Sequence, residues 1–328
     1  MSLSATSFPL RQLGRSELMV SPVAMGCWPI SGMTSLAVND ADSLATLRMA
    51  VERGLNFFDT AYSYGARGES ERLIGKALAP VRHRVVIATK GGVYWDSDGV
   101  RQQDARPATL RKHLHESLQR LGFDHVDLLY LHAPDPAVPV AESAGAIREL
   151  LAEGATRAVG ASNLNVEQLD EFQRECPLTC VQSPYNMLQR QIEDDILPWC
   201  RQHGVGAVVY WPLMKGLLSG GLSRDHRFDP KDGRAKYPMF QGDEWQRNQD
   251  FLAELTQIAA GTGHTVAQLV VNWTIHQPGI TAALCGAKRP FQIAETAGAM
   301  GWQIDAETLA RIDAALERRG PAATGRAI

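Results

Sequence analysis

The sequence predicts a closed parallel (β/α)8 TIM barrel, and three observations carry that expectation. Eight short apolar, β-branched runs alternate with stretches of helical period along the 328 residues. No G-x-G-x-x-G follows any of the runs, which argues against the open, doubly wound alternative. A hydrophobic content of 45% supplies a large core, and no change of composition marks a linker. Residues 1–328 therefore read as one domain.

In chain order, Phe8–Leu10 and Leu18–Val20 flank the turn-like Leu13-Gly14-Arg15 and predict a hairpin that plugs the barrel floor. The eight strand-like runs are Val23–Cys27, Asn56–Asp59, Val85–Thr89, Val126–Leu131, Ala158–Ala161, Thr179–Gln182, Gly206–Trp211 and Ile280–Cys285. Between them, helical periodicity covers Asp40–Arg53, Ser70–Ala79, Pro107–Leu121, Val140–Ala152, Val166–Glu175 and Ile192–His203. It continues over Gln246–Gly263, Val266–His276 and Phe291–Ala299. Asp40 and Pro107 are start signals, and Gly54, Gly122, Gly154 and Gly204 fall where helices should stop. Leu213–Trp245 is too long for an ordinary connection, and such loops are commonly functional. An extra C-terminal helix, Glu307–Arg319, precedes a Gly/Pro/Ala tail expected to fray.

Several functional classes are disfavoured early. The net charge is −3 with both signs interspersed, so neither nucleic acid nor an anionic membrane is the expected partner. No apolar run approaches the ~20 residues of a membrane span. The N-terminus lacks the pattern of a signal peptide. Cys27, Cys176, Cys180, Cys200 and Cys285 are scattered and unpaired in spacing, which suits reduced thiols in a cytoplasmic protein and no zinc site.

Four residues in three short segments carry the chemistry. FFDTAYSYG holds Asp59 and Tyr64, VVIATKGG holds Lys90, and VDLLYLHAPD holds His132. Taken singly, each has a plainer explanation as a cap, a solvated cation or a structural imidazole. Jointly, Asp59, Lys90 and His132 end three successive strands, at the barrel face where active sites lie. A phenol has a pKa near ~10, and an ammonium close by is expected to lower it. A carboxylate would keep that ammonium charged in a dry pocket, and an imidazole could orient a carbonyl oxygen. Trp28, Tyr94 and Trp95 follow the first and third strands and could line a substrate mouth or pack as a lid. Tyr62 reads as a packing residue.

FFDTAYSYG, ATKGG, LLYLHAPD, GASN, VVYWPLMKGLLSG and LCGAKRPFQIAE, in that order, resemble the signature segments of the aldo-keto reductase superfamily. The resemblance runs from about residue 8 to 300. It implies a barrel that binds NADP(H) without a Rossmann fold, with Asp59, Tyr64, Lys90 and His132 as a catalytic tetrad and Tyr64 as the acid. It further implies Ser162, Asn163 and Gln182 around the nicotinamide amide, with Tyr210 stacked on its ring. Gly216, Leu217, Leu218 and Ser219 match the pyrophosphate loop. Gly286, Ala287, Lys288, Arg289, Gln292 and Glu295 match the adenosine arm, where a guanidinium suits a 2′-phosphate. Two positions depart from the family pattern. Trp211 stands where many members have serine, and Thr296 where many have asparagine. Arg234, in the long loop, reads as solvated.

The function expected is therefore reduction of aldehydes and ketones by NADPH, with a small carbonyl compound as the partner. The alternatives are a cofactor-binding regulatory subunit with little turnover and an NAD(P)-dependent sugar or alcohol dehydrogenase. A metal-dependent hydrolase is disfavoured, because only His132 among the histidines closes a strand and His113 and His115 lie in a polar helical stretch. The oligomeric state is not written in the sequence.

Overall fold

The computed structural model describes residues 8–33 and 36–323. Eight parallel strands close a barrel: β1 (Val23–Gly26), β2 (Phe57–Asp59), β3 (Val86–Gly91), β4 (Leu128–Leu131), β5 (Val159–Ser162), β6 (Cys180–Pro184), β7 (Gly206–Tyr210) and β8 (Ile280–Gly286). Each strand pairs with the next in chain order, and β8 closes on β1 through Ala283↔Val23 to Gly286↔Gly26. The outer layer contains α1 (Asp40–Glu52), α2 (Glu69–Leu78), α3 (Pro107–Leu121), α4 (Val140–Ala152), α5 (Val166–Glu175) and α6 (Ile196–His203). It continues with α7 (Gly242–Thr262), α8 (Val266–Ile275), α9 (Pro290–Ala297) and the extra α10 (Ala306–Arg319).

Local chemistry explains the boundaries. The cap of α1 is Asn39, whose side chain accepts from the Asp42 amide, so Asp40 is the first helical residue and not the cap. Pro107 opens α3, and Gly54, Gly122, Gly154 and Gly204 all have positive φ where helices end. The helix expected from Ile192 starts only at Ile196, because Gln191–Glu193 forms a separate 3-10 turn and Asp195 caps the new start.

Two cores result. The larger lies between strands and helices. The smaller fills the barrel interior with Ala24, Phe57, Val86, Ala88, Leu128, Tyr130, Cys180, Val208 and Ala282. Gly160 is obligatory there, since a Cβ at that position would lie 2.5 Å from the Tyr130 ring.

The hairpin does plug the floor, with Leu13, Leu18 and Val20 in the inner core. Its register is corrected, however. Arg11–Gln12 pairs with Met19–Val20, while Phe8 packs beside Gly54. The Arg11 guanidinium reaches the carbonyls of Ile275 and Ile280, which fixes the strand at residue 11. A second hairpin, Val93–Trp95 paired with Arg101–Gln103, rises from the loop after β3 and was not foreseen. The long loop is shorter than predicted, because α7 begins at Gly242 and 3-10 turns occupy Met214–Ser219, Gly233–Lys236 and Pro238–Phe240.

Candidate active site

Strand geometry decides which side chains meet. Successive side chains alternate between the barrel interior and the helical layer. Counting up each strand from its inner-core residues, the inward parity reaches Asp59 on β2, Lys90 on β3, Ser162 on β5, Gln182 on β6, Tyr210 on β7 and Gly286 on β8. His132 continues the parity of Leu128 and Tyr130 one residue beyond β4, and its amide still bonds to Gly91 O at 2.9 Å. One alternation thus brings residues scattered over more than 200 positions to one mouth.

At the centre, the Lys90 ammonium is paired with the Asp59 carboxylate, and both are buried. Lys90 Nζ also donates to Thr60 O at 2.7 Å and lies 3.4 Å from the Tyr64 hydroxyl. The other Asp59 oxygen accepts from Gln182 Nε2 at 2.8 Å, so Gln182 is tied to the tetrad. His132 meets the Tyr64 ring edge-on with centroids 6.0 Å apart. Its Nδ1 is buried without a hydrogen-bond partner among the described residues. Burial, with Lys90 and Arg101 nearby, holds the His132 pKa well below the ordinary histidine value, so the ring is neutral.

The acidity of Tyr64 differs from the sequence expectation. Burial, together with the Asp59 carboxylate, raises its pKa well above that of free tyrosine. The reason is electrostatic: Asp59 neutralises the ammonium that was expected to pull the phenol down, leaving desolvation to dominate. Tyr64 therefore rests as a protonated phenol throughout the neutral range.

The three aromatics separate. Trp28 packs edge-on to Tyr64 at 5.0 Å. Trp95 donates its indole N–H to Ser63 O at 2.8 Å and so pins the backbone next to Tyr64. Tyr94 instead packs on His113 at 5.7 Å, with that histidine stacked on Tyr62 at 3.8 Å. His113 is thus a buried aromatic spacer, its pKa lowered to about 4 by burial, although it lies in a polar helical stretch.

A supporting layer escaped the sequence reading. Glu71 is fully buried, accepting from Thr89 Oγ1 at 2.8 Å and from Arg120 at 3.2 Å. Arg120 lies 4.2 Å over the Tyr62 ring, and the Tyr62 hydroxyl donates to Glu116 at 2.6 Å. These contacts brace the β2–α2 loop that carries Tyr64. No motif announces them; only the fold brings Glu71 behind Thr89.

The opposite side of the mouth holds the residues matched to the cofactor. Tyr210 donates to Asn163 Oδ1 at 2.8 Å, and Asn163 Nδ2 donates to His132 O at 2.9 Å and Ser162 Oγ at 3.0 Å. Asn163 adopts φ 64°, which turns it back over its own strand end. The backbone also runs at positive φ through Met214, Lys215 and Gly216. Gly216 suits its φ of 91°, and any Cβ there would sit 3.3 Å from Arg234 Nη1. Leu217 and Leu218 are buried, and Ser219 Oγ bonds back to Gly216 O at 2.8 Å. Trp211, at φ 61°, lies under the Lys215 ammonium at 3.5 Å.

Arg234 is not the solvated residue expected. It is partly buried, paired with Asp232 at 2.7 Å, and reaches the Lys215 carbonyl at 3.3 Å. On the adenosine arm, Lys288 Nζ donates to Leu36 O at 2.9 Å, and Arg289 donates to Ala37 O at 2.8 Å and pairs with Asp42 at 3.0 Å. Gln292 Oε1 accepts from the amides of Lys288 and Arg289, Ala287 is buried, and Glu295 is partly exposed on the same helix. Thr296 is buried with its hydroxyl turned to Gln292 O. The pKa of Lys288 is lowered by burial and by Arg234 and Arg289, and burial brings Lys215 down to about 8. Such mutually repelling cations beside a tight backbone turn fit a polyanion such as a dinucleotide. Among the described residues, no cluster of side chains is arranged to hold a metal ion.

The aldo/keto reductase family profile matches residues 22–317. The chain is a member of the aldo-keto reductase family. An aldo-keto reductase of Bacillus subtilis is 33% identical over 300 residues, covering 90% of each protein. An NADH-specific methylglyoxal reductase of Escherichia coli is 32% identical and covers 93% of this chain and 98% of its own. Among solved structures, a glycerol dehydrogenase of Gluconobacter oxydans superposes with a TM-score of 0.88 at 32% identity, covering 99% of both chains. The (β/α)8 barrel is thus shared across this family of oxidoreductases. No helix among the described residues is long and apolar enough to cross a membrane.

Proposed function

We propose that this chain reduces aldehydes and ketones to alcohols with NADPH, using Tyr64 as general acid. The observation that carries the reading is the Tyr64 hydroxyl 3.4 Å from an ammonium that is itself locked to Asp59. The dinucleotide, when bound, supplies the hydride. Ser162, Asn163 and Gln182 would hold its amide and Tyr210 its ring. Gly216, Leu217, Leu218 and Ser219 would meet its pyrophosphate, and Gly286, Ala287, Lys288, Arg289, Gln292 and Glu295 its adenosine half. The neutral His132 orients the carbonyl oxygen by donating a hydrogen bond. As negative charge develops on that oxygen, the Tyr64 proton moves to it, and Lys90 stabilises the phenolate left behind. Asp59 keeps Lys90 protonated in a site where burial alone would strip its charge. The buried, unpaired cysteines fit a reducing, cytoplasmic setting, and one barrel unit accounts for the described chain.

One observation favours a second cofactor. The relative from Escherichia coli is NADH-specific by name, and in this chain both Lys288 and Arg289 already have protein partners. Titrating NADPH and NADH, then assaying each with a panel of aldehydes, tests both readings. Tighter NADPH binding with turnover supports the proposal, and tighter NADH binding with turnover moves the enzyme to the second cofactor. Binding without turnover, for either alcohols or carbonyls, would make it a sensor.

A further inference from the structure

Arg101 lies on the unforeseen hairpin, directly across from Trp95 in the strand register. Trp95 is fastened to Ser63 O, next to Tyr64, so this cross-strand pair sits at the edge of the catalytic mouth. The guanidinium is partly buried, yet it makes no side-chain hydrogen bond or ion pair with any described residue. Two of the carboxylates flanking it in the chain are committed elsewhere. Asp96 holds Gln102 at 2.6 Å, and Asp104 holds Arg106 at 2.5 Å and Thr109 at 2.7 Å. Arg101 is near enough to His132 for its charge to help keep that imidazole neutral. A guanidinium without a protein partner keeps its five donors available to an anion.

We infer that Arg101 recognises an anionic group on the substrate, so that the preferred carbonyl compounds carry a carboxylate or comparable anion. A guanidinium binds a carboxylate through two parallel hydrogen bonds, which fixes orientation as well as adding affinity. Anchored there, the substrate's carbonyl would be directed inward to His132 and Tyr64. The inference rests on the carbonyl-reductase reading and adds to it a substrate class.

The test compares para-carboxybenzaldehyde with its methyl ester, which differs mainly in charge. The unaltered enzyme should reduce the carboxylate with kcat/KM about 10-fold or more above the ester, as expected for a charge-assisted contact. Arg101→Gln should abolish that preference, mostly through KM, lowering turnover of the carboxylate far more than that of the ester; Arg101→Lys should restore part of it. Benzoate should compete with the ester in the unaltered enzyme and lose most of that inhibition in Arg101→Gln. Turnover of the ester with no preference for the carboxylate overturns this inference alone, as does an equal loss on both substrates in Arg101→Gln. Failure of the unaltered protein to reduce either aldehyde with either nicotinamide cofactor overturns the reductase reading and this inference with it.

Discussion

The two sides of the mouth are built on opposite principles. At the ends of β2 to β4, Asp59 and Lys90 are closed off from water and paired with each other, and Tyr64 is braced by Trp28, Trp95 and the Glu71–Arg120 layer. At the ends of β7 and β8, the cations are only partly covered. They are held by carbonyls of the loop before α1 and by Asp42 and Asp232, while the backbone turns through several left-handed residues. The first side is assembled before any ligand arrives. The second holds its charges in exchangeable contacts that a phosphate could replace. Under the proposed function, catalytic power depends on fixed geometry, whereas a bound dinucleotide must also leave, and two arcs of one barrel would divide these demands.

That contrast can be broken most severely at Lys90. Lys90→Met should leave Asp59 as a buried, uncompensated carboxylate and destabilise the fold by ~3–5 kcal/mol, measured by denaturant unfolding. The double variant Asp59→Asn with Lys90→Met should recover much of that stability but none of the activity. Recovery of activity would show that the pair serves the fold and not the chemistry.

Next in size, Tyr64→Phe should lower kcat by ~100-fold or more and leave NADPH affinity nearly unchanged. Near-normal turnover would move the proton donor elsewhere. On the softer side, Arg289→Gln should weaken NADPH binding by ~1–3 kcal/mol while barely changing NADH binding. The melting temperature should hardly move, because the lost contacts are a loop carbonyl and a partly exposed ion pair. Equal losses for both cofactors would point to a folding role.

The smallest effect concerns pH. Lys215 titrates at about 8 in the folded protein, below its ordinary 10.5. The unfolded chain therefore binds more protons between those values, and stability from this group should rise as pH rises through that window. Chemical denaturation of Lys215→Met alongside the unaltered protein should show the extra upward slope only in the latter. Parallel curves would mean that Lys215 is effectively solvated.

Much of this molecule could be read before it was seen. Strand runs and helix ends were legible because alternation, helical period and terminal glycines are local signals. Asp59, Lys90 and His132 could be brought together because the topology is regular. What stayed hidden depended on distant partners. The N-terminal strand moved to residue 11 because Arg11 finds carbonyls near the start of β8. The second hairpin is too short and polar to show a pattern, and Glu71 matters only because α2 packs behind β3. The direction of the Tyr64 shift was missed because it reflects the net field of an ion pair, and a sequence displays only its separate charges.

The hairpin at Val93–Gln103 has a consequence for how such enzymes diversify. It belongs to no barrel strand, forms its own two-stranded sheet, and meets the mouth through Trp95 and Arg101. Apart from Val93, which is buried, and Tyr94, which packs on His113, its side chains contribute little to the hydrophobic interior. In evolutionary terms it is an exchangeable cassette. Grafting a different hairpin between Gly92 and Asp104 offers a way to change which molecules are accepted while inheriting the reaction unchanged.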